Sequence, residues 1–192
     1  MPDSFPILSL IVFTPLLGVL ALLFVPRTNG RLIQWIGIGT TFLPLLLSGW
    51  LYAAFDLTAE GGQFAETARW ISFSLNSELL EAFFSQQQIP FDRYHVQFDY
   101  ALAADGLSLP LVFLTALVAT MAAFASVHIK KRFKTYFILF LLLEAGMLGV
   151  FLAQDLFLFF LFFETTLVPM FFLIGIYGLY EREKAANRFL VY

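Results

Sequence analysis

An all-α integral membrane protein, a polytopic bundle of transmembrane helices, is the fold class this sequence predicts, and three observations predict it. Of 192 residues, 60% are apolar and 13% charged, with a mean hydropathy of +0.82; soluble domains run near 45–50% and about 25%. Several uncharged stretches are long enough to cross a bilayer. The basic residues gather in alternate connections between those stretches. A soluble globule of this composition would lack the polar surface that water requires. A net charge of −3 with no long basic stripe sets nucleic acid aside as a partner. The absence of Cys removes disulfide frameworks, thiolate zinc sites, cysteine-ligated clusters and thiol catalysis together.

A hydrocarbon core of about 30 Å needs about 20 apolar helical residues. Phe5 to Val25 meets that and is closed by Pro26 and Arg27. Its start, Met1-Pro2-Asp3, has no basic stretch and no small-residue cleavage site precedes Pro26, so it reads as a span and not a signal peptide. Leu32 to Phe55 is the second span, and Leu107 to Val127, after the Asp105-Gly106 turn, is the third. Thr135 to Leu179 is too long for one helix, and Gln154-Asp155 is the consecutive polar pair near its middle. A tight turn there divides it into helices of about 134–153 and 155–179. Glu183 to Tyr192 reads as the amphipathic start of a sixth helix. The organisation is therefore two helices over 1–55, a loop over 56–106, three helices over 107–179, and 180–192 leading into the sixth.

Within 56–106, Ala68 to Leu75 and Tyr94 to Tyr100 alternate at period two, the pattern of two half-buried strands in a hairpin. Ser77 to Ser85 between them suits a short amphipathic interfacial helix. Such a loop is expected to serve as a structural cap or a docking surface for a neighbouring subunit.

Arg27, Arg31, Lys130, Lys131, Arg132, Lys134, Arg182, Lys184 and Arg188 follow the odd-numbered spans, while only Arg69 and Arg93 lie on the other side. Lys and Arg mark cytoplasmic connections. The N-terminus and the 56–106 loop are then extracytoplasmic, in a multi-pass protein of the cell inner membrane.

A mid-membrane carboxylate costs at least about 2.5–3.5 kcal/mol on insertion scales, so each is a functional candidate. Glu144 and Glu164 sit at equal offsets on either side of Gln154, which in an antiparallel pair puts both at one depth. If their faces converge, both cannot ionise cheaply, and the pair can hold and pass a proton. The alternative is that each is simply neutral or hydrogen-bonded to a neighbouring helix. Pro169 removes the donor for the carbonyl of Thr165, and that carbonyl with the hydroxyls of Thr165 and Thr166 is suited to anchor water. A packing kink is the alternative. Pro15 and Pro44 interrupt spans one and two with no acid near them in sequence and read as shape only. His128, at the cytoplasmic end of span three, is either a place for protons to enter or an interfacial residue. Phe157, Phe159, Phe160, Phe162 and Phe163 cover every face of their helix and read as packing. No haem-ligand pair, metal-ligand pair or phosphate loop lies in the spans, so no redox cofactor is expected in this chain.

Three runs carry a resemblance: Asp105-Gly-Leu-Ser-Leu-Pro-Leu-Val-Phe-Leu-Thr115, Glu144-Ala-Gly-Met-Leu-Gly-Val-Phe-Leu-Ala153, and Gln154 to Gly178 with its central Phe-Phe-Glu-Thr-Thr-Leu-Val-Pro-Met. They resemble the antiporter-like membrane subunits of proton-pumping NADH:quinone oxidoreductase, respiratory complex I, most closely its M or mitochondrial subunit 4 type. The resemblance implies about fourteen helices, two inverted five-helix repeats, and a chain of buried Glu, Lys and His. It places the family's key fifth-helix glutamate on Glu164, with a partner lysine on a seventh helix that this sequence does not reach, and so implies that the chain is an N-terminal fragment. It implies other membrane-arm subunits as partners, with NADH, FMN, iron–sulfur clusters and quinone bound elsewhere. The D-type subunits of multisubunit sodium/proton antiporters share these motifs and are the alternative.

Overall fold

The computed structural model describes residues 6–56, 61–74, 95–129 and 131–191, with side chains of 72–74 and 95–97 left aside. Its elements are α1 (Ile7–Phe24), α2 (Gly30–Ala54), β1 (Gln63–Ser74), β2 (His95–Ala104), α3 (Ser108–Ala125), α4 (Phe133–Leu152), α5 (Leu156–Tyr177) and α6 (Arg182–Val191), with a 3-10 turn at Ser126–His128. α1 to α5, with the 3-10 turn continuing α3, are long and apolar enough to cross a membrane. The bundle and the hairpin that the sequence predicts are both present. The expected interfacial helix at 77–85 lies outside the described residues.

β1 and β2 pair antiparallel from Gln63 opposite Ala104 to Ser74 opposite His95. Both strands are longer than the alternation suggested, because pairing continues beyond it to Gln63 and Ala104 on the side of the flanking helices. Among the described residues, hydrogen bonds tie the hairpin to the bundle. Gln154 N–H donates to the Ala101 carbonyl at 2.9 Å, beside a Leu102–Ala153 bridge, so the α4–α5 turn continues the sheet. Glu66 reaches the start of α1, accepting from Leu8 N at 2.7 Å, Ser9 N at 3.0 Å and the Ser9 hydroxyl. Tyr100 lies 2.7 Å from that hydroxyl. Since Ser9 gives its proton to Glu66, Tyr100 donates to Ser9. Burial, opposed by the Ser9 bond, pushes the Tyr100 hydroxyl up and keeps its proton in place.

An acid thus satisfies the first N–H groups of α1, and the same holds for α3 and α5. Asp105 accepts from Leu107 N at 3.0 Å and Ser108 N at 2.6 Å while Ser108 Oγ accepts from Asp105 N, a reciprocal cap. The Ser108 N–H holds the Asp105 carboxyl below its ordinary range. Asp155 accepts from Phe157 N at 2.9 Å and Leu158 N at 3.0 Å. At the opposite end the same helices finish on donors. Lys134 Nζ donates to Leu23 O at 3.0 Å and Val25 O at 2.8 Å, Gln34 to Val127 O at 3.1 Å, and Lys131 to Ile176 O at 3.1 Å. Acids at N-termini and cations at C-termini also complement the helix dipoles. Part of the charge division between the two ends therefore closes helices.

α4 is the central helix. Half of its span is buried, against 17% for α5 at the rim. α4 and α5 approach closely because Gly146 and Gly149 face Thr166 and Phe162: a Cβ at Gly149 would lie 2.4 Å from the Phe162 ring, and one at Gly146 2.7 Å from Thr166 Cγ2. Small residues at a crossing are the usual way membrane helices pack closely. On its other side α4 meets α1, α2 and α3, with Phe137 against Gly37 of α2.

Candidate functional site

The two candidate carboxylates occupy opposite environments. Glu144 is 0% exposed, and neither of its oxygens has a hydrogen-bond partner. Every other buried polar side chain of the helical core near it is satisfied. Thr41 donates to Ile38 O at 2.9 Å, Ser48 to Leu45 O at 3.1 Å, Thr120 to Thr41 O at 3.0 Å and Ala116 O at 2.8 Å, and Thr14 to Leu10 O. An unpartnered buried polar group costs about 1–3 kcal/mol. Glu164, by contrast, is exposed on the rim of the described bundle.

Depth and direction separate here. The contacts of Gly146 and Gly149 with Thr166 and Phe162 set the antiparallel register of α4 and α5. That register puts Glu144 and Glu164 within about one turn of the same level. Each carboxylate nevertheless points away from the shared seam. Glu164 lies roughly 200° around α5 from Phe162, and Glu144 roughly 200° around α4 from Gly146. Glu144 instead shares the face of Phe137, Leu141 and Leu148, all buried. Sequence offsets therefore capture the common level but not the divergence.

The helix contacts also set the level of Pro15 and Pro44. Gly18 faces Thr40, and Gly37 faces Phe137. Counting along α1, α2 and α4 from those contacts brings Thr14 and Pro15, Pro44, and Glu144 to one level, within about one turn. Both prolines are buried. Each removes the N–H that would have bonded a carbonyl, that of Ile11 and that of Thr40 respectively. The unpartnered carboxylate thus shares its level with two helix interruptions far from it in sequence.

Pro169 is buried and packs inward, while Glu164 faces out. Thr165 donates to Leu161 O at 2.7 Å and Thr166 to Phe163 O at 2.7 Å. Those hydroxyls spend their protons within α5. His128 closes the 3-10 turn and is exposed, well away from the level of Glu144. Among the described residues no group of three or more His, Cys, Asp or Glu is placed to hold a metal.

Comparison with known proteins bears on this arrangement. Residues 63–153, from β1 to the end of α4, match the family described as "NADH-ubiquinone oxidoreductase chain 4, amino terminus". NADH-quinone oxidoreductase subunit M of Rhodobacter capsulatus is 37% identical over 190 residues, covering 97% of this chain and 32% of that protein. Over nearly its whole length the chain is similar to the chain 4 or subunit M family, and it matches the model of that family's amino terminus. NAD(P)H-quinone oxidoreductase chain 4 of Nostoc sp. is 33% identical over 192 residues, covering 98% of this chain and 31% of that protein. The chain thus spans about a third of the length of these subunit M relatives. Among solved structures, respiratory complex I from Thermus thermophilus with bound NADH matches with a TM-score of 0.68 at 26% identity, covering 96% of this chain and 32% of that one. An archaeal membrane-bound sulfane sulfur reductase matches with a TM-score of 0.65 at 25% identity, covering 96% of this chain and 25% of that one. The subunit M likeness and the membrane-length helices agree: this is a multi-pass membrane protein.

Proposed function

We propose that this chain supplies the amino-terminal helices of a proton-translocating membrane-arm subunit of an NADH:quinone oxidoreductase. The observation that carries the proposal is Glu144, a carboxylate with no partner at the centre of an otherwise satisfied apolar bundle. A site of that cost is retained for chemistry more readily than for stability. Its simplest chemistry is to take and release a proton within the membrane. Glu164, within about one turn of the same level and exposed on the rim of α5, is the second proton-bearing group. NADH, FMN, iron–sulfur clusters and quinone are then the business of other subunits, and this chain's partners are its membrane-arm neighbours.

A chimera tests this. Residues 1–192 of this chain replace the matching region of the Rhodobacter capsulatus subunit M, and proton uptake is measured during NADH oxidation in sealed vesicles. The expected result is assembly with NADH-driven uptake close to that of the parent. Full assembly with quinone reduction but no uptake overturns the proposal.

The N-terminus and the 56–106 loop are proposed to lie outside the cytoplasm. The nine-to-two division of basic residues supports this. Thr67→Cys should react with an impermeant thiol reagent added from outside spheroplasts, and Leu179→Cys should not. The reverse pattern means an inverted chain.

A further inference from the structure

Beyond proton chemistry, the structure carries a second site where α1 ends and α4 begins. A cleft of about 410 Å³ there is lined by Arg27, Arg132, Phe133, Lys134 and Thr135. We infer that this cleft binds the phosphate of an anionic phospholipid. Three of its five lining residues are cationic, none is acidic, and they come from segments about a hundred residues apart in sequence. Both walls are tied in place. Lys134 Nζ holds the last carbonyls of α1, those of Leu23 and Val25. The Arg132 carbonyl accepts from the Tyr177 hydroxyl at 2.9 Å. Arg27 and Arg132 remain exposed beside the cleft, and the ion pair found among the described residues, Lys184–Glu181, lies elsewhere.

Convergent positive charge with no anion from the protein favours an anion from its surroundings. At the end of two membrane helices, the abundant anion is the phospholipid headgroup, and basic pockets between helices are recurrent headgroup sites. Arginine forks match phosphate oxygens in two-point geometry, and the Thr135 hydroxyl adds a donor. The last turn of α1 presents Leu23 and Phe24, 56% and 88% exposed, to the acyl chains that would hang from such a headgroup. Phosphate and chains are thus met by adjacent surfaces of matching character, which is what distinguishes a lipid from free phosphate.

Native mass spectrometry of the full chain released from detergent micelles tests the inference, with phosphatidylglycerol, phosphatidylcholine and inorganic phosphate as probes. The expected result is one retained phosphatidylglycerol, bound at least tenfold more tightly than phosphatidylcholine. Arg27→Gln and Arg132→Gln should each weaken it about fivefold, whereas Arg188→Gln, an equal loss of charge on α6, should leave it unchanged. Helix content by circular dichroism verifies that each variant folds, and the two single changes stand in for each other if one does not. Equal retention of both lipids, or equal weakening by Arg188→Gln, overturns the site. Displacement of phosphatidylglycerol by millimolar inorganic phosphate also overturns it, since the cleft then takes free anions.

Discussion

Glu164→Gln in the chimeric subunit should leave assembly intact and cut proton uptake per NADH oxidised by about tenfold or more. The amide keeps the volume and hydrogen-bonding capacity of the side chain, so the surface that α5 offers to neighbouring helices is unchanged. What it removes is the exchangeable proton, and a relay at mid-membrane cannot route through an amide. Glu164→Asp should be milder, because the acid survives while the shorter stem withdraws it by about one methylene from any partner. Proton uptake and NADH oxidation followed together in sealed vesicles, with assembly verified on a native gel, decide the matter. Wild-type uptake in the Gln variant would make Glu164 a structural acid.

Glu144→Met should stabilise the fold and disable the function, and that opposition is the signature of a group kept for chemistry. Methionine fills nearly the same volume on a flexible stem. It also removes two buried oxygens that have no partner, an arrangement that costs about 1–3 kcal/mol. Heat or denaturant unfolding of the full chain in detergent should therefore show a gain of that order for Met over the native residue. Glu144→Gln should show no such gain, since an amide in the same place is equally unpartnered. Both variants should lower proton uptake in the chimera. A loss of stability in Glu144→Met would mean that the carboxyl has a partner in the membrane. Unchanged uptake in both would mean that Glu144 has no part in proton transfer.

The helix caps divide in the same way between what is local and what is not. Asp155 stands directly before the helix it caps and Asp105 three residues before the first residue of its own, so both caps are local in sequence. Glu66 caps α1 from 57 residues away, and only the pairing of β1 with β2 brings it there. Counting charges gives a topology either way, but it does not reveal that Glu66, Lys131 and Lys134 are also closing helices.

Sequence by itself determined the five spans, the turn at Gln154-Asp155, the hairpin and the common level of Glu144 and Glu164. Each rests on length, on period-two alternation, or on offsets along one antiparallel pair, all of which are local. The tertiary structure alone decided which way each helix faces. In a soluble protein one apolar stripe marks the inner side of a helix. Here lipid and core are equally apolar, so α4 and α5 are hydrophobic on every face and no periodicity marks the buried side. That is why Glu164, inside the motif with the strongest resemblance, lies on the rim of this bundle while Glu144 is fully enclosed. The level that Pro15 and Pro44 share with the unpartnered carboxylate needed the contacts between helices, Gly18 with Thr40 and Gly37 with Phe137. Levels follow from counting residues, but azimuth follows from which glycine accepts which ring, and that is settled only when the helices pack.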